Sequence, residues 1–500
     1  FRDVFFAVRG DSGDSGNTSQ QILTRGENMQ IIRAAATDTV KGNAAYEIHD
    51  KRKETGRQRS DRHDPEKAGT LSEEASLQRG RYGLAVDVGT TTVVMELYEL
   101  ISGQRLSGLS RRNSQTLLGA DVMMRLMHCQ RGQQAKLEKL IRQQLEEMAE
   151  EICAGFCEPE QVERIVAVGN TTMCHILLGQ DTSGLSGSPF CPAYRGIFRC
   201  QGSKLGMKRL REAQVIVPAG IDAHVGADAV AVISSLNFME APGNVLAVDI
   251  GTNAEIALSS HGRLTTCSAP AGPAFEGAQI EQGMRGEPGA IAGVKIARQI
   301  GNILLDVIPG PGREPLFVKG ICGSGLIDAV AALRQCNVIR QDGYLLQSPS
   351  EEKLPPFLAE RITDKGFMLY QSPEGKHVYL TQKDIRQFQL AKASVQAGIE
   401  MLLRRQEITL AQVDTLYIAG VFGGHISKRN AVLTGLFPDI APEKLVIAGN
   451  AAGKGAAQAL LSETFLEQTE WIGSHAGHVE LAQQEEFQQQ FMDAMAIVPW

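Results

Sequence analysis

The sequence predicts an α/β fold made of two related lobes, and three observations support this prediction. From Tyr82 onward, short β-rich apolar runs alternate with amphipathic helical stretches, as is typical of α/β proteins. One seven-residue segment occurs twice, 162 residues apart. Glycine is enriched, at 52 of 500 residues against a usual ~7%, and many glycines directly follow the apolar runs. A chain of this length can form roughly two to four compact units.

The composition argues against several classes of protein. The chain carries 50 Lys and Arg against 57 Asp and Glu, and its apolar-rich part has no basic block. We therefore expect neither a nucleic-acid surface nor a membrane-binding one. No stretch reaches the roughly 18 apolar residues of a membrane span, and the start lacks the pattern of a signal peptide, so we expect a cytoplasmic protein. Nine thinly spread cysteines suit reduced thiols better than a disulfide framework.

The distribution of charge separates a lead-in from the two lobes. Half of the residues at 50–81 are charged, and such a segment cannot bury enough apolar surface to offset its ordering entropy. We expect residues 1–81 to be a mostly disordered lead-in or linker, with local structure around residues 4–6 (VFF) and around Ile31 and Ile32. Residues 82–240 are predicted to form lobe I. Residues 241–500 are predicted to form lobe II, which includes the C-terminal helices.

The repeated segment opens each lobe. Residues 84–90 (LAVDVGT) and 246–252 (LAVDIGT) agree at six of seven positions. Each copy is a strand followed by an Asp-x-Gly-Thr turn and a second strand. A single turn of this kind is explained equally well as a tight hairpin, but two identically flanked copies favour a shared function. The spacing is too long for a solenoid repeat, whose period is about 20–50 residues.

The composition of the two turns suits a polyphosphate ligand. Glycine lets the backbone approach closely, hydroxyl and amide side chains donate hydrogen bonds, and a carboxylate can hold Mg²⁺ through water. Two facing copies would clamp one phosphate tail. Asp87 and Asp249 are the predicted catalytic and magnesium-associated residues, and Asn170 is a third catalytic candidate, because it follows a strand of lobe I. The predicted phosphate-binding residues are Gly89, Thr90, Thr91, Thr92, Gly251, Thr252 and Asn253.

Further glycine turns predict the adenosine side of such a site. A buried strand at 416–419 runs into Gly420, Gly423 and Gly424, and Gly323 and Gly325 form a fourth candidate turn. The chain has neither a P-loop sequence nor a dinucleotide-binding fingerprint, which favours a two-lobed ATP site. The loop at 271–289 carries Glu276, Glu281 and Glu287, and we expect it to lie at the cleft edge or to contact a partner rather than to form core.

These motifs, in this order, resemble those of the acetate and sugar kinase, Hsp70 and actin superfamily, whose lobes are duplicated ribonuclease H-like units. Five strings more closely resemble the C-terminal ATPase part of the reductive activators of corrinoid proteins. The resemblance covers about residues 82–500, and it implies that residues 82–240 are ATPase lobe I and that residues 241–500 are ATPase lobe II, with the adenosine motif. It implies ATP hydrolysis coupled to electron delivery from an iron–sulfur centre to cobalt(II) of a corrinoid methyl-transfer protein, which restores cobalt(I). The strings are residues 85–92 (AVDVGTTT), 168–173 (VGNTTM), 268–278 (SAPAGPAFEGA), 321–328 (ICGSGLID) and 418–424 (IAGVFGG).

The sequence departs from that family in its first part. The family's N-terminal ferredoxin-like domain needs about four cysteine ligands, and residues 1–128 contain no cysteine. Either that domain is missing from a chain that begins with Phe rather than Met, or a separate low-potential donor supplies the electron. A small-metabolite kinase and a chaperone-like ATP switch are the alternative functions. The expected partners are a corrinoid protein and an electron donor, and a homodimer is left open.

Overall fold

A computed structural model describes residues 81–310, 317–372, 374–420 and 426–500, together with the backbone of two short strands near the start. The strands are β1 Gln21–Leu23, β2 Ile31–Ala34, β3 Tyr82–Val88, β4 Thr92–Glu99, β5 Arg105–Arg112, β6 Val162–Val168, β7 Phe198–Gln201, β8 Gln214–Val217, β9 Val245–Ile250, β10 Ala254–Ser260, β11 Arg263–Ala269, β12 Ala290–Ala297, β13 Asn302–Val307, β14 Gly320–Ile321, β15 Ile362–Thr363, β16 Gly366–Tyr370, β17 Val378–Leu380, β18 Thr415–Ala419, β19 Leu445–Gly449 and β20 Gly477–His478. The α-helices are α1 Val122–His128, α2 Gln134–Cys153, α3 Thr171–Leu178, α4 Ala227–Ser235, α5 Gly323–Gln335, α6 Pro356–Ala359, α7 Gln382–Arg405, α8 Lys428–Leu433, α9 Ala451–Leu461, α10 Glu463–His475 and α11 Glu485–Asp493.

The first sheet has the strand order β5-β4-β3-β6-β8-β7. The strands β3, β4 and β5 form an antiparallel meander, whereas β6 and β8 run parallel to β3. Helix α2 covers this sheet because Leu137, Ile141 and Leu145 recur at helical spacing, and all three are fully buried. The repeated segment therefore occupies the centre of the sheet, where β3 ends at the first Asp-x-Gly-Thr turn.

The second sheet repeats this arrangement, with the order β19-β18-β9-β10-β11-β20. Strands β9, β10 and β11 form the antiparallel meander, and β18 and β19 run parallel to β9. Helix α7 buries Phe388, Val395 and Ile399, as its sequence pattern predicts. Five strands of one sheet thus correspond to five of the other, which confirms the predicted duplicated α/β fold.

Two helices connect the sheets. Helix α4, at the end of the predicted lobe I, packs against α9, which comes from the predicted lobe II. Helix α9 also lies on β3 and β6 of the first sheet, where Ala452 and Ala456 are buried. The two helices approach closely at Gly455, where a Cβ would collide with the carbonyl of Ala231. Glycine permits this contact because it has no Cβ. The helices that join the lobes are therefore in direct contact.

The predicted lead-in contributes strands to a third sheet, with the order β1-β2-β13-β12-β14. Strand β2 runs parallel to β13 and pairs Ile31 with Leu304, so the local structure expected around Ile31 and Ile32 is confirmed. The other residues of 1–80 lie outside the described part of the chain. No described helix is both long and apolar enough to cross a bilayer.

Candidate active site

The two repeated turns lie at the carboxyl ends of β3 and β9 and meet at a single carboxylate. Thr91 of the first turn donates its hydroxyl hydrogen to Glu276 Oε2 at 2.5 Å. Thr252 of the second turn donates to Glu276 Oε1 at 3.2 Å. The tertiary fold therefore brings together two turns that are 162 residues apart in sequence.

Three side chains support the first turn through its carbonyl oxygens. Asn113 Nδ2 donates to the carbonyl of Gly89 at 2.8 Å, and Arg285 Nη2 donates to that of Thr91 at 2.8 Å. The buried guanidinium of Arg125 donates to the carbonyl of Thr90. Each of these carbonyl oxygens therefore accepts a hydrogen bond, and two of the three donors are cationic arginines. The hydrogen bonds reduce the repulsion that the carbonyl oxygens would otherwise exert on a phosphate.

The remaining predicted residues of lobe I also lie beside this turn. Asn170 caps α3 by accepting from Met173 N, and its amide donates to Thr90 Oγ1 at 3.0 Å. A Cβ at Gly89 would lie 2.6 Å from the carbonyl oxygen of Thr92, so the turn is too tight for any larger residue without a backbone shift. Thr92 begins β4 directly after the turn.

Four carboxyl groups converge between the lobes. Partial burial, followed by repulsion from Asp228, raises the pKa of Asp87 to about 7, although a hydrogen bond from Asn450 opposes the shift. Burial and repulsion from Asp228 and Asp87 raise the pKa of Asp249 to about 8. Burial raises the pKa of Asp228 to about 6, and burial and the neighbouring aspartates raise that of Glu255 well above its usual value. The four carboxyl groups are therefore harder to ionise together than free carboxyl groups, because burial and mutual repulsion disfavour their charged forms.

Asp228 and Glu255 are additions to the residues expected from sequence. Asp228 lies in the first turn of α4, and its backbone N–H donates to the carbonyl of Gly169 at 3.2 Å. Glu255 faces Asp249 directly across the β9–β10 pair. The sequence could have identified Glu255, because alignment of the repeat places this charged residue opposite the apolar Val93 of the first copy. Asp228 lies outside the repeated segments, so their alignment does not identify it.

The predicted adenosine strand is β18, and Gly420 follows it with φ +110°. A Cβ there would lie 2.5 Å from the carbonyl oxygen of Ile250 and 3.3 Å from Asp249 Oδ1. Gly420 therefore lies against the second turn. Gly423 and Gly424 fall outside the described residues, so their predicted contact with nucleotide stays a prediction.

The other glycine pair has a packing role in this structure. Gly323 and Gly325 begin α5, and a Cβ on either would collide with a backbone carbonyl, that of Phe275 or that of Ile291. Their predicted contact with nucleotide stays a prediction. The loop at 271–289 also differs in part from expectation. Ala274 and Phe275 are buried in the hydrophobic core formed by the second sheet and α7, which we call the second core.

Comparison with known proteins identifies the family. Residues 243–499 match the family model described as the C-terminal domain of RACo, the ASKHA domain, and residues 82–241 match the RACo middle region. The chain belongs to the RACo family. These proteins are reductive activators of corrinoid proteins, and the suspected resemblance is confirmed.

Two curated relatives and one solved structure are similar over most of the chain. The corrinoid activation enzyme RamQ of Eubacterium limosum is 31% identical over 420 residues, which cover 82% of this chain and 69% of RamQ. The [Co(II) methylated amine-specific corrinoid protein] reductase of Methanosarcina barkeri is 26% identical over 434 residues, which cover 81% of this chain and 75% of that reductase. A solved reductive activator for corrinoid, iron–sulfur protein has a TM-score of 0.75 and 31% identity, covering 84% of this chain and 66% of that one.

Proposed function

We propose that this chain is the ATP-hydrolysing core of a reductive activator that returns cobalt(II) to cobalt(I) in a corrinoid methyl-transfer protein. The observation that carries the proposal is the pair of Asp-x-Gly-Thr turns that face each other beside four carboxyl groups, in a chain of the RACo family. Such an arrangement suits a phosphate chain held between two lobes. The proposed phosphate-binding residues are Gly89, Thr90, Thr91, Thr92, Gly251, Thr252 and Asn253, and Gly323, Gly325, Gly420, Gly423 and Gly424 are proposed for the rest of the nucleotide.

The carboxyl cluster fits a water-mediated Mg²⁺. Within the described residues no group of three or more His, Cys, Asp or Glu side chains is arranged to hold a metal ion. Burial and mutual repulsion raise the pKa values of Asp87 and Asp249, and a bound cation would offset both effects. Mg²⁺ usually keeps several waters and binds one or two carboxylates plus substrate phosphates. When bound, it would neutralise charge on the phosphates, and Asp87 and Asp249 would hold its waters.

Each catalytic candidate has a role set by its contacts. Asn170 donates to the hydroxyl oxygen of Thr90, which leaves the hydroxyl hydrogen of Thr90 available for a phosphate oxygen. Asp87 and Asp249 lie at the ends of the two central strands, where a charged carboxylate could orient the attacking water. We add Asp228 as a third carboxylate for this task, because it repels both aspartates and so lies close to them.

Helices α4 and α9 provide a route from ATP to the partner protein. Asn450, which caps α9, donates to Asp87, and the first turn of α4 carries Asp228. A change of charge between the lobes therefore acts directly on the two helices that connect them. Lobe closure that differs between nucleotide states would give the corrinoid protein a different affinity for each state, which is how hydrolysis can drive an unfavourable reduction.

The electron is assigned to a donor outside the described residues. All nine cysteines are described, all are free, and none of the described residues forms a metal-binding group. The chain spans 66% of the solved relative and 69–75% of the curated ones. An iron–sulfur donor, whether in a further segment or in a separate protein, is thus part of the proposal.

The test combines turnover with cobalt spectroscopy. The protein is mixed with a corrinoid protein, a low-potential donor and magnesium ATP, and cobalt(I) absorption is followed. We expect ATP-dependent cobalt(I) formation, with ATP turnover at least about a hundredfold lower in Asp87→Ala and Asp249→Ala. Asp364→Ala, on an exposed turn, is the matched control. Undiminished turnover in both cleft variants would remove the ATP-site assignment, and turnover without any cobalt(I) signal would remove the reductive one.

A further inference from the structure

Glu276 occupies a position that the proposed hydrolysis does not use. It ends a short 3₁₀ turn, Pro273–Glu276, flanked by Gly272 and Gly277, whose φ values are 73° and 80°. Its carboxylate accepts hydrogen bonds from Thr91 and Thr252, one hydroxyl from each lobe. Glu276 is therefore the group that joins the two phosphate turns in this structure.

The chemistry of a hydroxyl makes this contact exclusive. A threonine hydroxyl has one hydrogen to donate, so it cannot donate to Glu276 and to a phosphate oxygen at the same time. A carboxylate and a phosphate that share the same donors also repel each other. Thr91 and Thr252 must exchange one anion for the other when a phosphate chain enters between the turns.

We propose that Glu276 is a built-in competitor of the nucleotide phosphates: its carboxylate holds the two threonine hydroxyls until ATP displaces it. The inference rests on the proposed ATP site. It assigns Glu276 the role of setting nucleotide affinity, rather than that of a catalytic residue.

Displacement of Glu276 would move a segment that reaches the second core. Phe275, the preceding residue, is buried. Its ring packs edge-on against that of Phe388 on α7, with 5.9 Å between the ring centroids. Its carbonyl packs against Gly323 at the start of α5. Arg285, farther along the same segment, donates to the carbonyl of Thr91. Phosphate binding at the turns would therefore change the contacts that this segment makes with α5 and α7.

The decisive variant removes the charge and keeps the shape. Glu276→Gln is compared with the wild-type protein by calorimetric titration with magnesium ATP and, separately, with AMP. We expect ATP affinity to increase about tenfold, since the variant loses a charge-assisted competitor, while AMP affinity is unchanged. Glu287→Gln, an exposed carboxylate of the same segment, should match the wild type for both ligands.

Two further measurements separate this role from others. In the wild-type protein, ATP should speed hydrogen exchange at the amides of Gly277 and Ala278, which bond to Ala274 and Pro273 in the 3₁₀ turn. Unchanged or weaker ATP affinity in Glu276→Gln would overturn the inference, as would lower turnover at unchanged affinity, which would mark a catalytic carboxylate. Failure of the wild-type protein to bind ATP would instead overturn the proposed function, and this inference with it.

Discussion

The two Asp-x-Gly-Thr turns have nearly the same sequence and very different surroundings. The first has a side chain donating to each of the carbonyls of Gly89, Thr90 and Thr91. In the second, the N–H of Gly251 bonds to the carbonyl of Asn253 within the turn. No described side chain donates to the carbonyls of Gly251 or Thr252. The first turn is therefore preorganised by side chains from both lobes, whereas the second is held mainly by its own backbone and by Glu276.

The copies also differ in charge. Alignment of the repeat places Glu255 of the second copy opposite Val93 of the first. Glu255 adds repulsion to a site that already holds Asp249 and Asp228. We infer that the duplicated lobes have divided two tasks, with the first turn built for rigid anion binding and the second for response to charge.

The largest expected effect comes from removing the support of the first turn. Arg125→Met leaves the carbonyls of Thr90 and Gly119 without their buried donor. We expect a loss of about 3 kcal/mol in the free energy of unfolding, measured by urea titration, and ATP turnover at least about tenfold lower. Arg211→Met, at an exposed site, is the control. Normal turnover in a folded Arg125→Met protein would mean that the first turn does not need this support.

Glycine substitution compares the turns directly. A Cβ at Gly89 would meet the carbonyl oxygen of Thr92 at 2.6 Å, whereas one at Gly251 would lie an ordinary 3.4 Å from that of Asn253. We expect Gly89→Ala to lose about 2 kcal/mol of unfolding free energy, and Gly251→Ala less than about 0.5 kcal/mol. Equal losses, measured by urea titration of both variants, would remove the structural contrast between the copies.

The charge of the second copy predicts a pH dependence in protein free of nucleotide and metal. The pKa of Asp249 is raised to about 8, so the folded state keeps a proton that the unfolded chain loses near pH 4. This contribution to stability is fully present below about pH 4 and is lost as the pH rises through about 8. Asp249→Asn should match the wild type below about pH 4 and exceed it by a margin that grows by roughly 1.4 kcal/mol per pH unit until the pH passes about 8. A pH-independent difference would contradict the raised pKa.

The smallest expected effect comes from a substitution that makes the second copy electrostatically more like the first. Glu255→Gln removes a carboxyl whose pKa is held well above its usual value by burial and by repulsion from Asp228 and Asp249. We expect a gain of about 1 kcal/mol in unfolding free energy at pH 8 that disappears toward pH 4, because the unfolded chain loses this proton near pH 4 whereas the folded protein retains it. Glu407→Gln, at an exposed site, should leave the stability profile unchanged. A Glu255→Gln profile identical to the wild-type one would contradict the raised pKa of Glu255.

Sequence reasoning identified the parts of the site that depend on local structure. Asp87 and Asp249 follow from a repeated strand and turn, and β18 with Gly420 from an apolar run that ends in glycine. Asn113, Arg125 and Arg285 were not identified, since they lie 24, 35 and 194 residues from the carbonyls they support. Their residue types occur throughout the chain, so only the fold distinguishes them.

The sequence by itself determined the duplicated lobes, the two turns and the family, because strand patterning and turn chemistry act over a few neighbouring residues. The tertiary structure decided which groups share the cleft. It placed Asp228 among the aspartates, put Glu276 between Thr91 and Thr252, and gave Gly323 and Gly325 a packing role. Hydrogen bonding and repulsion act through distance in space, which no local pattern of residues encodes.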